Sequence, residues 1–240
     1  MNMERYARSE ALFGVGATKA LRSAHVAVFG LGGVGSYTVE ALARTGVGSL
    51  TLIDSDVYTP SNLNRQLFAT EKTLGVPKVD AAKERVLEID ATLTVYTKNL
   101  FVTPENLGTF DLGAFDYIVD AIDTVSAKIA LIQAAHACGV PIISAMGAGN
   151  KTDPTRFRVS DIAKTKVCPL ARAVRNGLRK AGVLHTKVVY SEEEPAVCTK
   201  DGEKPVPASC SFVPSVVGLI MGGEVIKDLL KVKGTSSLTE

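Results

Sequence analysis

Residues 25–56 read HVAVFGLGGVGSYTVEALARTGVGSLTLIDSD. His25 to Phe29 is a short apolar run of the kind buried on both faces of a sheet. Gly30, Gly32 and Gly35 then give G-x-G-x-x-G. The first glycine makes the tight turn, the second lets a phosphate approach the backbone, and the third lets helix and strand pack closely. Ser36 to Arg44 follows with helical spacing, and its first N–H groups and dipole would face an anion. Leu50 to Ile53 is a second buried strand that ends at Asp54, an acid placed to take ribose hydroxyls. Strand, glycine turn, helix and acid together predict a nucleotide site.

Beyond Asp54 comes SDVYTPSNLNRQLF, too rich in turn formers for a strand. It clusters Asn62, Asn64, Arg65 and Gln66 where a parallel sheet binds ligands, and Arg65 can grip a phosphate bidentately. Lys78 to Ile89 has the period of an amphipathic helix starting just after Pro77. A cation at a helix start opposes the dipole, so Lys78 is expected to have an anion to meet. Thr92 to Tyr96 reads as a strand and Pro104 to Phe110 as a short helical stretch. Tyr117 to Ile122 is a buried strand ending in Asp123, on the sheet edge that carries Asp54; a second acid there most simply holds Mg²⁺. A helix over Ala127 to Cys138 stops at Gly139, and Pro141 to Ala145 is the next strand. Upstream, Glu4 to Leu12 is a short helix with Arg5 and Arg8 on one side, and Lys19 to Ser23 leads into the first strand.

The alternation over Val26 to Ala145 predicts an α/β fold with a Rossmann-like, doubly wound, largely parallel sheet. A C-terminal extension of mixed strands and helices follows. Residues 1–150 form the nucleotide-binding half, and residues 151–240 a basic second half of the same domain. Gly149 to Thr152 lacks P-loop spacing and is a decoy. Phe157 to Ser160 and Val188 to Tyr190 read as strands. Cys168 to Ala181 reads as a helix with Arg172, Arg175 and Arg179 on one face. Ser191 to Pro207 is expected to be a mobile loop. A docked or dimer-forming helix follows, with a frayed tail after Lys231.

Residues 151–190 carry ten Lys and Arg against two Asp, a local charge of +8 that leaves −6 on the remainder. That suggests a polyanionic partner as readily as a solvated basic face. Four cysteines without a C-x-x-C pair and three scattered histidines argue against a disulfide framework and a structural zinc, and fit the cytoplasm. Met1 to Glu10 has no signal-peptide core, and the apolar stretch Phe212 to Gly223 is too short to span a bilayer. An NAD-dependent dehydrogenase shares the glycine fingerprint, but would leave Arg65 and Lys78 without a task.

Six motifs in this order resemble the ThiF/MoeB-type adenylating enzymes, the superfamily of the ubiquitin-activating enzymes. They are R-x-x-R (Arg5, Arg8), GLGGVGS (Gly30–Ser36), LIDSD (Leu52–Asp56), SNLNRQ (Ser61–Gln66), G-x-P-K (Gly75–Lys78) and D-x-x-D (Asp120–Asp123). The resemblance implies ATP-dependent activation of a carboxylate as an acyl-adenylate. Gly30, Gly32, Gly33 and Gly35 would shape the phosphate turn, Gly32 and Gly33 lying against the α-phosphate. Asp54 and Asp56 would lie at the nucleotide, with Asp54 on its ribose. Asn62, Arg65, Gln66 and Lys78 would surround the triphosphate, and Asp123 would hold Mg²⁺. Arg8 would reach into a neighbouring subunit's site, which implies a homodimer. The segments from Asp153 to Thr165, Cys168 to Ala171 and Ala208 to Phe212 look like the tRNA threonylcarbamoyladenosine dehydratases. Those enzymes cyclise a threonylcarbamoyl adenosine beside the tRNA anticodon. Cys210 is then a candidate nucleophile or relay, although a merely nearby thiol serves as well, since ring closure needs no protein nucleophile. Some relatives bind a monovalent cation near the site, and a sulfur-transfer partner protein is left open. The alternative reading is an adenylyltransferase that activates the C-terminal glycine of a ubiquitin-like or sulfur-carrier protein.

Overall fold

The computed structural model describes residues 3–198 and 208–232. The expected mobile loop over 191–207 lies outside them from residue 199, and the expected frayed tail from residue 233. In chain order the elements are α1 (Ala7–Phe13), α2 (Ala17–Arg22), β1 (His25–Phe29), α3 (Gly35–Thr45), β2 (Ser49–Asp54), α4 (Lys78–Ile89), β3 (Thr94–Asn99), β4 (Tyr117–Asp120) and α5 (Val125–Ala137). They continue as β5 (Ile142–Ala145), β6 (Phe157–Asp161), α6 (Pro169–Lys180), β7 (Lys187–Ser191) and α7 (Phe212–Val232).

All seven strands form one sheet in the order β3-β2-β1-β4-β5-β7-β6. Every neighbouring pair is parallel except β6 with β7. The extension expected after residue 150 therefore adds two strands to the sheet edge. Side chains alternate across the sheet, so Val26 and Val28 of β1 enter one core and Ala27 and Phe29 the other. The first core is closed by α3, α4 and α7, the second by α5 and α6. The chain leaves β1 toward β2 on one side and returns to β4 on the other. The ends of β1 and β4 thus flank a crevice at the topological switch point.

Several expected boundaries move, three of them for reasons visible in the structure. A helix, α2, replaces the plain lead-in over Lys19 to Ser23; six residues are too few to show a period, and burial of Ala17, Thr18 and Leu21 holds it. Asp90 accepts the Thr92 N–H at 2.9 Å, so the chain turns there and β3 begins at Thr94 instead of Thr92. Asp120 accepts the Ile122 N–H at 3.1 Å, so β4 stops at Asp120, not Ile122, and Asp123 lies in the loop beyond it.

The last helix docks on α3 through glycines. A Cβ on Gly218 would strike the Val34 carbonyl and lie 2.8 Å from Tyr37 Cβ; one on Gly222 would lie 2.7 Å from Ala41 Cβ. Thr38 Oγ1 donates to the Gly218 carbonyl at 3.0 Å across this contact. Gly223, one position on, faces open space. Gly218→Ala is therefore expected to lower Tm by several degrees through overpacking. Gly223→Ala is expected to hold or raise it, because alanine is favoured in helices by about 1 kcal/mol. Thermal unfolding of the two variants checks this.

Candidate active site

The crevice at the switch point is an open cleft of about 690 Å³. Its floor is the glycine turn. Gly30 has φ +88°, and a Cβ there would lie 2.6 Å from the Ala121 carbonyl, so only glycine lets β1's exit run against the loop after β4. Gly32 and Gly33 line the cleft; Gly35 does not. A Cβ on Gly35 would collide with the Gly30 carbonyl, so Gly35 serves the close join of helix to strand.

Asp54 closes the turn. Its Oδ2 accepts the Leu31 N–H at 2.7 Å and its Oδ1 the Asp56 N–H at 2.9 Å. Lys78 finds the anions its place at a helix start demanded. Its Nζ lies 2.8 Å from Asp56 Oδ2 and 3.9 Å from Asp54 Oδ1, with the side chain almost wholly buried. Asn62 sits in a short 3-10 turn, where its side-chain oxygen accepts the Thr59 N–H at 3.2 Å and its amide nitrogen remains to donate. Arg65 is braced by the Ser61 carbonyl at 2.7 Å and Asn64 Oδ1 at 2.8 Å. Gln66 is buried beside Gly32, and its Oε1 has no partner among the described residues. Asp123 is exposed on the opposite side, 3.5 Å from the Thr124 hydroxyl. Thus Asp54, Asp56, Asn62, Arg65, Gln66, Lys78 and Asp123 line one cleft. Two cations and several amide donors face a space that suits a polyphosphate.

Two expected site residues stand apart. Arg8 is exposed on α1 and does not line the cleft. Cys210, two residues before α7, packs half-buried against the core, while its neighbour Ser209 faces the cleft. Sequence reasoning missed Leu100, Phe101 and Val102, which follow β3 and wall the cleft at the adjoining carboxyl edge. Their place after a strand was the available signal. It also dismissed Asn150 with the P-loop decoy. Asn150 holds φ +58°, its N–H donates to the Ala208 carbonyl at 2.7 Å, and its Oδ1 accepts the Ala208 N–H at 2.6 Å. With Asn64, whose amide donates to the Ser209 carbonyl at 3.0 Å, it fixes the far wall. Lys151 turns away to the Gly147 carbonyl at 2.9 Å; burial pushes its ammonium below the usual lysine range, against the pull of Cys168 and Glu193.

The basic block is smaller than its charge count. Lys151 is buried, Lys187 pairs with Glu224 and Asp228, and Arg158 pairs with Glu192. Arg175, expected on a common face with Arg172 and Arg179, turns to the Thr165 carbonyl at 3.0 Å. Arg156 donates to the Glu192 carbonyl at 3.1 Å, and Lys164, Lys166, Arg172, Arg179 and Lys180 remain exposed.

Known proteins match this chain over nearly its full length. It is 43% identical over 243 residues to a Bacillus subtilis tRNA threonylcarbamoyladenosine dehydratase, covering 95% of this chain and 96% of that protein. The Escherichia coli enzyme of that name, TcdA, solved in complex with AMP, superposes with a TM-score of 0.90 at 33% identity, covering 97% of this chain and 96% of that one. The same enzyme in complex with ATP gives 0.88 at 32%, with the same coverage. The ThiF family profile matches residues 6–240, and with the glycine turn, the Asn62–Gln66 cluster and Lys78 gathered in one cleft, this chain belongs to the ThiF family.

Proposed function

We propose that this chain binds ATP in the switch-point cleft and uses it to dehydrate threonylcarbamoyladenosine in tRNA to its cyclic form. The observation that carries the reading is the convergence of the glycine turn, Arg65, Lys78 and Asp123 on one space. The threonine carboxylate attacks the α-phosphorus and pyrophosphate leaves, giving an acyl-adenylate. The carbamoyl oxygen then attacks the activated acyl carbon, AMP departs, and a proton is lost from the carbamoyl nitrogen. The net change in the nucleoside is loss of one water.

Charge builds on phosphate oxygens in the first step. Arg65 and Lys78, held in place by Ser61, Asn64 and Asp56, stabilise it without reorganising. No cluster of three or more metal-binding side chains occurs among the described residues. A lone exposed carboxylate beside a polyphosphate suits Mg²⁺, which takes one or two protein carboxylates and fills its shell with phosphate and water. When bound at Asp123, the ion neutralises phosphate charge.

In this reading residues 1–150 activate the nucleotide. Residues 151–240 face the anticodon loop and support a homodimer in which Arg8 serves the neighbouring subunit. No helix among the described residues is long and apolar enough to cross a membrane; the tRNA substrate is what places the work in the cytoplasm. The exposed cations on and before α6 meet the RNA backbone, beginning where Leu170 borders the cleft. Arg172→Ala and Arg179→Ala are each expected to weaken tRNA binding and cut the log-affinity against log-salt slope by about 0.7–0.9 per lost phosphate contact. ATP affinity should stay unchanged.

Mass spectrometry of the nucleosides after incubation with ATP and threonylcarbamoyl-bearing tRNA tests the proposal. The expected product is lighter by one water, with AMP and pyrophosphate released in step. Pyrophosphate exchange driven by a Gly-Gly-terminated carrier protein, and not by this tRNA, would replace it.

A further inference from the structure

Beneath the cleft lies a charge pair that no step above uses. Asp120, the last residue of β4, and Lys128, in the first turns of α5, are both wholly buried. Lys128 Nζ lies 2.8 Å from Asp120 Oδ2 and donates to Ser144 Oγ at 3.2 Å; that hydroxyl donates to Asp120 Oδ2 at 2.6 Å. Ser144 is the residue of β5 in register with Asp120, so the cluster ties β4, β5 and α5 at one level. Asp120 Oδ1 is also engaged, accepting the Ile122 N–H at 3.1 Å.

Such a pair is a poor source of stability. Removing two charges from water costs several kcal/mol per ion, and neutral replacements of similar shape are often as stable or more so. Its placement suggests another use. Asp120 and Lys128 bracket the loop 121–124, and all four of those residues line the cleft. The loop starts against the glycine turn, where the Ala121 N–H donates to the Phe29 carbonyl at 2.8 Å and the Ala121 carbonyl leaves no room for a side chain on Gly30. It ends at Thr124, whose carbonyl accepts the Lys128 N–H at 3.0 Å. The Asp123 carboxylate meets only the Thr124 hydroxyl among the described residues, so no other side chain in the cleft holds it.

We propose that Asp120 and Lys128, with Ser144 as the third point, are positioning residues that staple the loop 121–124 at its base. The staple sets Asp123 and the backbone beside Gly30 at the right height for nucleotide. The pair touches no substrate. It fixes the two ends of a loop that carries its functional carboxylate at an unsupported tip. The use made of that loop rests on the ATP-binding reading of the cleft; the staple itself does not.

The test is the double variant Asp120→Asn/Lys128→Met in the full chain. The introduced asparagine keeps an acceptor for Ile122 and a partner for Ser144, the introduced methionine keeps the buried stem, and only the tie to α5 is lost. Made together the two changes strand no buried charge, whereas either one alone would. Two readouts separate the claims. Amide hydrogen exchange at Ile122 and at residue 128, whose N–H groups close the two ends of the loop, is expected to quicken at least tenfold, with β1, β4 and β5 still protected and Tm equal or higher. ATP affinity by calorimetry is expected to fall at least tenfold. Unchanged exchange in the loop would overturn the staple, as would exchange that quickens across the whole sheet with a fall in Tm. If the wild-type chain binds no ATP, the reading of the cleft fails, and the loop exchange still decides the staple.

Discussion

Asp123→Ala is expected to cut AMP and pyrophosphate formation by about 10²–10³-fold, the size of losing one preorganised group that stabilises transition-state charge. The fold should not notice. Asp123 is exposed and meets only the Thr124 hydroxyl at 3.5 Å among the described residues, so thermal unfolding should stay within about 2 °C of the parent. The parent enzyme's rate should rise with Mg²⁺ and saturate, and the variant's response should be shifted to higher Mg²⁺ or lost. Single-turnover assays with modified tRNA, run beside calorimetric melts, measure both. Full activity in the variant would remove Asp123 from the site.

Gly32→Ala and Gly35→Ala, three residues apart in one motif, are expected to fail in opposite ways. A Cβ on Gly35 would overlap the Gly30 carbonyl, a backbone atom that cannot step aside, so α3 must shift against β1. Overpacking of that kind costs about 3 kcal/mol, or on the order of 6–12 °C in Tm for a chain of this size. A Cβ on Gly32 would come no closer than 3.8 Å, to Gln66 Nε2, so that variant should fold as well as the parent. It would however project into the cleft, where phosphate is meant to approach the backbone. Gly32→Ala should therefore keep its Tm and lose ATP affinity by at least tenfold. Melting curves and ATP titrations of both variants distinguish the cases; equal Tm values would show that the two glycines do not divide these tasks.

The fold was largely legible because its strands are buried on both faces and read as unbroken apolar runs. Val26 to Phe29 and Leu50 to Ile53 needed no alternation to be recognised. The helix over Lys78 to Ile89 was read to the residue, since its period is regular and Pro77 marks its start. Boundaries failed where side chains cap the backbone locally. Asp90 delays β3 and Asp120 ends β4, and neither turn shows in hydrophobic pattern.

The site divides in a similar way. Glycines, acids, Arg65 and Lys78 were legible because the chemistry of a triphosphate demands those residue types at the carboxyl edge of a parallel sheet. Spacing cannot tell which cations are already spent. Ten basic residues over 151–190 look alike in a charge count. Yet burial removes Lys151, and tertiary partners engage Lys187, Arg158 and Arg175. The same limit hid Lys128, which a helical pattern would place at will and which folding buries on Asp120.

From its sequence alone this chain declared a strand–turn–helix nucleotide fold and the residue types that handle phosphate, because local conformation and hydrophobic period are properties of neighbouring residues. Which glycine lines the cleft and which packs on backbone, which charges face water, and how Ala208 and Ser209 come to wall the cleft were settled only in three dimensions. Those outcomes depend on contacts between segments up to 180 residues apart, as between Thr38 and Gly218. Pattern along the chain carries no record of them, since each is fixed by which groups burial leaves without water.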